Sequence, residues 1–364
     1  MWIAPPAGMM RAILGADELE RGPRALAGGP TRALERLLGA PRVRLGQFPT
    51  PIETVQLPSG PAVAVKRDDY SGWGRGGAKA RKIEHLLGEL EARGRDEVVT
   101  VVGNITNLAF DLLPALDARG LRGSLFVIDD PPAPLAEREA IFRGVRDRVT
   151  LLGPSRARAA AAVLGRWMAA RREGGRPLWA LPGVSLPSSV IGNACGFIEM
   201  ALQCEREHRP LPKVVYVTAA TGTTVAGFLL GEHALRQAGF APIRIVGVAV
   251  YGGHLRASVS WLLRWTEDRL GLTTRVPRER IELDTSEVDG GFGRYSRRLA
   301  DRCLELEGEV GLKLDPIFGG KTWAAMQSAL CRDGAGDERA LYWHCGYTPE
   351  WATLGGSTPD RRSS

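Results

Sequence analysis

The chain has 364 residues, 44% hydrophobic and 24% charged, which is ordinary for a soluble globular protein and long enough for two domains. Its formal charge of +7 is scattered along the length, with no basic tail and no aromatics interleaved with the basic residues, so a nucleic-acid partner is not expected. Five cysteines without a CxxC pair argue against a disulfide framework or zinc knuckle, and no apolar run approaches membrane-spanning length.

Arg11 and Asp17 interrupt the first apolar stretch, so no signal segment is expected, and the reading is a cytoplasmic protein with reduced thiols and no membrane association. Residues 1–40 are rich in Ala, Gly, Pro and Arg, with one helical pattern at Arg32–Leu38, and read as an N-terminal extension outside the main core. Val63–Arg67 reads as a strand, followed by a Gly-rich loop from Asp68 to Gly77. From Lys79 to Glu91 the spacing of Ile83, Leu86, Leu87 and Leu90 predicts a helix. Strand and helix then alternate. Strands are predicted at Val98–Val102, Ser124–Ile128, Val149–Leu152 and Trp179–Pro182, with helices at Asn107–Ala118, Ala136–Arg143, Arg156–Arg172 and Val190–Glu207. A further unit follows: strand Val214–Thr218, helix Val225–Ala238, strand Ile243–Val250. Such alternation implies an α/β protein with parallel sheets flanked by helices. The residues from about 353 to 364 are polar and read as a flexible tail.

Only six of the 48 basic residues are lysines, and three of them (Lys66, Lys79, Lys82) fall within one short segment. A lysine retained in an Arg-rich chain suits chemistry in which an amine must lose its proton, which guanidinium cannot do. Gly76-Gly77-Ala78-Lys79 places such an amine at a helix start, where close backbone approach and the helix dipole favour a nucleophile, although a loop with a surface lysine would read the same way. Thr221-Gly222-Thr223-Thr224, just after a buried strand, has the small and hydroxyl residues of a phosphate cradle, although a plain helix entry would look similar. Thr106 and Asn107 stand at another strand-to-helix turn and could either cap the helix or meet a ligand. There is no HExxH motif or spaced Cys/His cluster, so no catalytic metal is expected.

Together these segments resemble the 1-aminocyclopropane-1-carboxylate (ACC) deaminase and D-cysteine desulfhydrase family, within the tryptophan synthase β-like, fold type II pyridoxal-phosphate enzymes. The resemblance covers roughly residues 45–350. It runs through Pro49-Thr50-Pro51-Ile52, Lys66-Arg67-Asp68-Asp69, the Lys79 segment, Thr106-Asn107-Leu108, Thr221 to Gly227, Asp315-Pro316-Ile317-Phe318, Gly320-Lys321 and His344-Cys345-Gly346-Tyr347. It implies pyridoxal 5′-phosphate joined to Lys79, with Asn107 at the ring hydroxyl and Thr221, Gly222, Thr223 and Thr224 at the phosphate. Thr106 would hold the carboxylate of a small amino-acid substrate, and Lys79 would move its α-proton. The resemblance also implies a homodimer of two-domain subunits. The large domain would be 41–81 plus 191–352 and the small one 82–190, with the cofactor in the cleft between them.

The departures matter as much. Two substrate-facing tyrosines of the deaminases stand here as Phe292 and Phe318, the usual partner of the pyridine nitrogen is Gly319, and the Gln after the Asn is Leu108. Cys345 could stand near the nitrogen instead, or simply be a small buried side chain. His344, at the end of a predicted strand Leu341–Trp343, could reach the site. A more apolar substrate shell points away from ACC itself and toward elimination from another small α-amino acid. Two alternatives stay open: a β-replacement synthase in a specialised biosynthetic pathway, and a homologue that binds the cofactor without turnover.

Overall fold

The computed structural model describes residues 32–56, 62–129, 135–288, 290–332, 339–349, 351 and 356–358. Its first element, α1 (Arg32–Leu38), buries Ala33, Leu34 and Leu37 in the same core as Phe197 and Phe228. The extension expected over residues 1–40 therefore joins the main core at its end, because an apolar stripe three to four residues apart must be covered. Residues 1–31 of that extension lie outside the described residues.

Ten strands form two sheets. One has six strands: β1 (Ile52–Gln56), β2 (Ala62–Arg67), β7 (Val214–Ala219), β8 (Arg244–Ala249), β9 (Glu282–Asp284) and β11 (Ala340–His344). Their order is β1-β2-β11-β7-β8-β9, parallel throughout except for the β1–β2 pair. The other is a wholly parallel sheet of β3 (Glu97–Gly103), β4 (Arg122–Ile128), β5 (Val149–Leu151) and β6 (Pro177–Trp179), in the order β5-β4-β3-β6. The strand expected at Trp179–Pro182 ends earlier, since Pro182 has no N–H to donate and Gly183 turns the chain with φ +73°. Every strand of the smaller sheet lies within 82–190, and every strand of the larger one lies outside it. Within the expected tail, β12 (Gly356–Thr358) pairs in parallel with β10 (Arg294–Ser296), so that part is a strand and not loose. The rest of 352–364 lies outside the described residues.

Helix α6 (Pro187–Arg206) is buried along nearly its whole length, between α2 (Lys79–Ala92) and α7 (Thr223–Gln237). Glycine makes this closeness possible: a Cβ at Gly192 would lie 2.2 Å from the Arg81 carbonyl oxygen, and one at Gly227 2.4 Å from Cβ of Asn193. A charged network locks α2 and α6 to the large sheet. Arg81 donates to both carboxylate oxygens of Asp68 (2.8 and 2.9 Å) and of Glu199 (2.8 and 2.9 Å). Lys66 donates to Glu199, Gln203 and the Thr50 carbonyl at 2.6–2.8 Å, and the Trp343 indole N–H donates to Asp68 at 2.8 Å. All four charged residues are buried and all are paired.

Candidate active site

The lysines sort by what holds them. Lys66 is tied into the buried network, and Lys321 is buried with its amine on the Val288 carbonyl at 2.9 Å. Lys213 and Lys313 are exposed. Lys79, the first residue of α2, and Lys82, one turn later, are half-buried and make no ion pair among the described residues. The start of α2 is fastened to the end of β11: the Ala78 N–H donates to the Cys345 carbonyl (3.1 Å), and a Cβ at Gly77 (φ +110°) would lie 2.3 Å from that oxygen. Lys79 thus stands beside Cys345, whose thiol is pushed up to about 12, chiefly by burial. The thiol is neutral there.

Two buried carboxyls share the electrostatic field of Lys79. Asp315 accepts the N–H groups of Ile317, Phe318 and Thr348 at 2.8–3.1 Å, yet burial still pushes it up to about 6. Asp111, in α3 (Leu108–Asp117), accepts only the Arg75 N–H (2.8 Å) and is raised by burial against the pull of Lys79. The other buried acids among the described residues face basic side chains: Asp68, Glu84, Glu89, Glu97, Glu199, Glu232 and Glu267 each lie against an Arg or Lys.

The residues expected to form a phosphate cradle stand at the start of α7. Gly222 adopts φ +88° and offers no side-chain cap, while the Thr221 and Thr223 hydroxyls lie 2.9 Å apart. Thr223 is buried and donates to Ser185 (3.0 Å); Thr221 and Thr224 are half-buried. The sequence reading missed Ser185, although a Gly-Val-Ser entry to a helix is a signal of the same kind. Asn107 is buried, donating to the Tyr347 carbonyl (2.7 Å) and accepting from Arg75 (3.2 Å), so it does not cap α3 with its side chain. The Thr106 hydroxyl oxygen does accept a helix-entry N–H, from Leu108 at 3.0 Å, which leaves its own O–H to donate.

Phe292 and Phe318 pack edge to face with centroids 5.8 Å apart, beside Ile105, and Tyr251 meets Phe292 edge-on at 6.4 Å. Sequence reasoning passed over Tyr251, which brings a phenol to this cluster. Gly319 is buried, and a Cβ there would sit 3.0 Å from the Tyr342 hydroxyl, which donates to the Gly319 carbonyl at 3.1 Å. His344 pairs its Nε2 with the Lys313 carbonyl (3.0 Å) and accepts the Gly346 N–H at Nδ1 (3.2 Å). Burial lowers its pKa, so it is a neutral brace for the loop after β11.

An anion-bearing cofactor fits these residues. Burial, with the charge of Lys79, pushes the Lys82 amine down to about 8, and no carboxylate partner compensates it among the described residues. Together with the uncapped α7 start and its converging hydroxyls, this is an unfilled demand for negative charge. Residues 43–346 match the family described as "Pyridoxal-phosphate dependent enzyme". The chain belongs to that family. A putative 1-aminocyclopropane-1-carboxylate deaminase of Pyrococcus abyssi is 30% identical over 318 residues, 85% of this chain and 92% of the relative. Nocardicin C-9′ epimerase of Nocardia uniformis subsp. tsuyamanensis is 29% identical over 332 residues, 88% and 96% of the two chains. The D-cysteine desulfhydrase of Salmonella paratyphi B is 26% identical over 330 residues, 87% and 97%. Among solved structures, an ACC deaminase homologue superposes with a TM-score of 0.73 at 26% identity, covering 89% of this chain and 95% of its own. The protein is a fold type II pyridoxal-phosphate enzyme of the ACC deaminase and desulfhydrase type. Among the described residues no group of three or more His, Cys, Asp or Glu side chains is placed to hold a metal, and no helix is long and apolar enough to cross a membrane.

Proposed function

We propose that the protein is a lyase that removes the α-proton of a small α-amino acid and eliminates a group from the β-carbon. The observation that carries this is the isolation of Lys79: an amine at a helix start, in the field of two buried carboxyls, with no ion pair among the described residues to immobilise it. When bound, pyridoxal phosphate supplies the electron sink for the charge left at the α-carbon. Thr221, Gly222, Thr223 and Thr224, with Ser185 and the Lys82 charge, would hold its phosphate. Asn107 Oδ1 has a second lone pair for the ring hydroxyl, and Cys345 would present a neutral thiol to the ring. The Thr106 O–H would donate to the substrate carboxylate, and Lys79 would take and return the α-proton. Phe292 and Phe318 offer no hydroxyl, which favours an apolar side chain or leaving group over ACC.

The working unit in this reading is a cytoplasmic homodimer of two-domain subunits, with 82–190 as the small domain and 41–81 plus 191–352 as the large one. Epimerisation is a second reading, favoured by the near-complete coverage of the Nocardia relative, and it uses the same Lys79 proton transfer without elimination. The test is the absorption spectrum of wild type beside Lys79→Ala, before and after borohydride, with mass mapping of the reduced peptide. The visible band is expected to be fixed on Lys79. A panel of amino acids then separates 2-oxo acid release from loss of optical activity alone. Turnover in Lys79→Ala is expected to fall about a thousandfold or more. Protein that stays colourless after incubation with pyridoxal phosphate would refute the catalytic reading.

A further inference from the structure

Among the buried acids of the described residues, Asp111 alone combines a single hydrogen bond with no ion pair to a basic side chain. It is 1% exposed and its Oδ2 has no hydrogen-bond partner among the described residues, while Oδ1 is pinned by a single backbone N–H. A buried carboxyl left half-satisfied is unfavourable, so a fold keeps one where something else completes it. The surrounding loop is shaped to keep it. Gly74 adopts φ +56° with its missing Cβ only 2.2 Å from Oδ1, and the Trp73 indole N–H donates to the Asp111 carbonyl at 3.0 Å. That loop runs directly into Lys79, and the charges acting on Asp111 are those of Lys79 and, more weakly, Arg75.

We infer that Asp111 is a positioning residue for Lys79, its unpartnered oxygen receiving the Lys79 ammonium when that amine carries the proton taken from the substrate. The inference rests on the proposed role of Lys79. In the step concerned, the electron pair of the substrate C–H bond stays on the substrate and the proton ends on the Lys79 nitrogen. Asp111 offsets the charge so created without itself changing protonation. An ionised partner holds an ammonium more strongly than a neutral amide can.

The test uses the full chain freed of cofactor, labelled with limiting acetic anhydride near neutral pH, with Lys79 acetylation read by mass spectrometry against exposed Lys213. Asp111→Asn is expected to raise the Lys79 to Lys213 labelling ratio about threefold to tenfold, because the neutral amide no longer holds the Lys79 ammonium against acetylation. Asp111→Glu should restore most of the wild-type ratio. If the Asn variant does not fold, Asp111→Ser, which keeps an acceptor for the Arg75 N–H, is read in its place. In the loaded enzyme, exchange of the alanine α-proton with D2O should slow in the neutral variants and lose its acidic limb. An unchanged labelling ratio would overturn the inference and leave Asp111 as an anchor for the loop. Because labelling needs no turnover, this result stands apart from the borohydride test of Lys79 as the cofactor lysine.

Discussion

Helix α2 carries two electrostatic regions of opposite design on one short stretch of chain. On one side Arg81 closes a network in which Lys66, Asp68 and Glu199 are all buried and all paired. Despite the burial that would raise it, the Glu199 carboxyl is held down to about 2 by Arg81 and Lys66. On the other side stand Lys79, Lys82, Asp111 and Asp315, again two basic groups and two carboxyls, with no ion pair among them in the described residues. There the amine of Lys82 and both carboxyls are shifted toward their neutral forms. The first region fixes the helix, and the second leaves charge unsatisfied for a cofactor and substrate to complete.

Breaking the paired region should have the largest effect on stability. Arg81→Met leaves Asp68 with only the Thr50 hydroxyl and Trp343 indole, and Glu199 with Lys66 alone. Removing one partner of a buried charge network destabilises by about 3–5 kcal/mol. Urea denaturation of the cofactor-free protein reads this directly. A loss below about 1 kcal/mol would mean that the network is not what secures α2.

The unpaired region should show itself through pH instead. Asp315 titrates near 6 in the folded chain, above the ordinary carboxyl value of 3.8, so the fold disfavours its charged form. Relative to Asp315→Asn, which does not titrate, the wild type should lose stability as pH rises from about 4 to about 6. A shift of some two units corresponds to a difference on the order of 3 kcal/mol between the ends of that window. Asn also gives up one acceptor for the Ile317, Phe318 and Thr348 N–H groups, a loss of about 1 kcal/mol that is constant with pH and so separable. A flat difference across the window would place Asp315 among the compensated acids.

What the sequence could disclose followed the same division. Helix α5 (Arg156–Arg172) was legible at both ends, because Ser155 caps it and the chain turns at Gly174. Lys79, Asn107 and Thr221 to Thr224 were legible as candidates because Gly, Asn and Thr mark strand-to-helix turns and the family resemblance joined the three turns into one site. Asp111 and Lys82 were not. Each sits on a helix face where a charge usually meets water, and only the packing of loop 72–78 and β11 around them removes that water. The helical pattern of α1 was visible but its burial was not, since nothing local says that α6 waits to cover it. Sheet order escaped for a similar reason: β11, the last strand of the large sheet, inserts between β2 and β7.

Lys82 gives the smallest effect and the sharpest contrast. Its amine is pushed down to about 8 from 10.5, so its charged form is disfavoured in the cofactor-free fold. Unlike the carboxyl case, the stability of wild type relative to Lys82→Met should rise with pH from about 8 to about 10.5, as the unfolded chain still binds the proton that the fold releases. The side chain is only partly covered, so the difference at neutral pH should be ~1–2 kcal/mol and not the full 2.5-unit value. The methionine variant is thus expected to be the more stable protein without cofactor. Under the proposed function loading reverses the sign, because a cofactor phosphate held by Thr221 to Thr224 together with the Lys82 charge would turn the unpaired cation into a favourable one. Lys82→Met should then bind pyridoxal phosphate about tenfold more weakly, some 1.4 kcal/mol, and gain less on loading in thermal denaturation. A variant less stable than wild type in both states would show Lys82 to be another member of the paired region, with its partner still to be found. Stability gained without the cofactor and lost with it is the outcome expected of a charge held in reserve for an incoming anion.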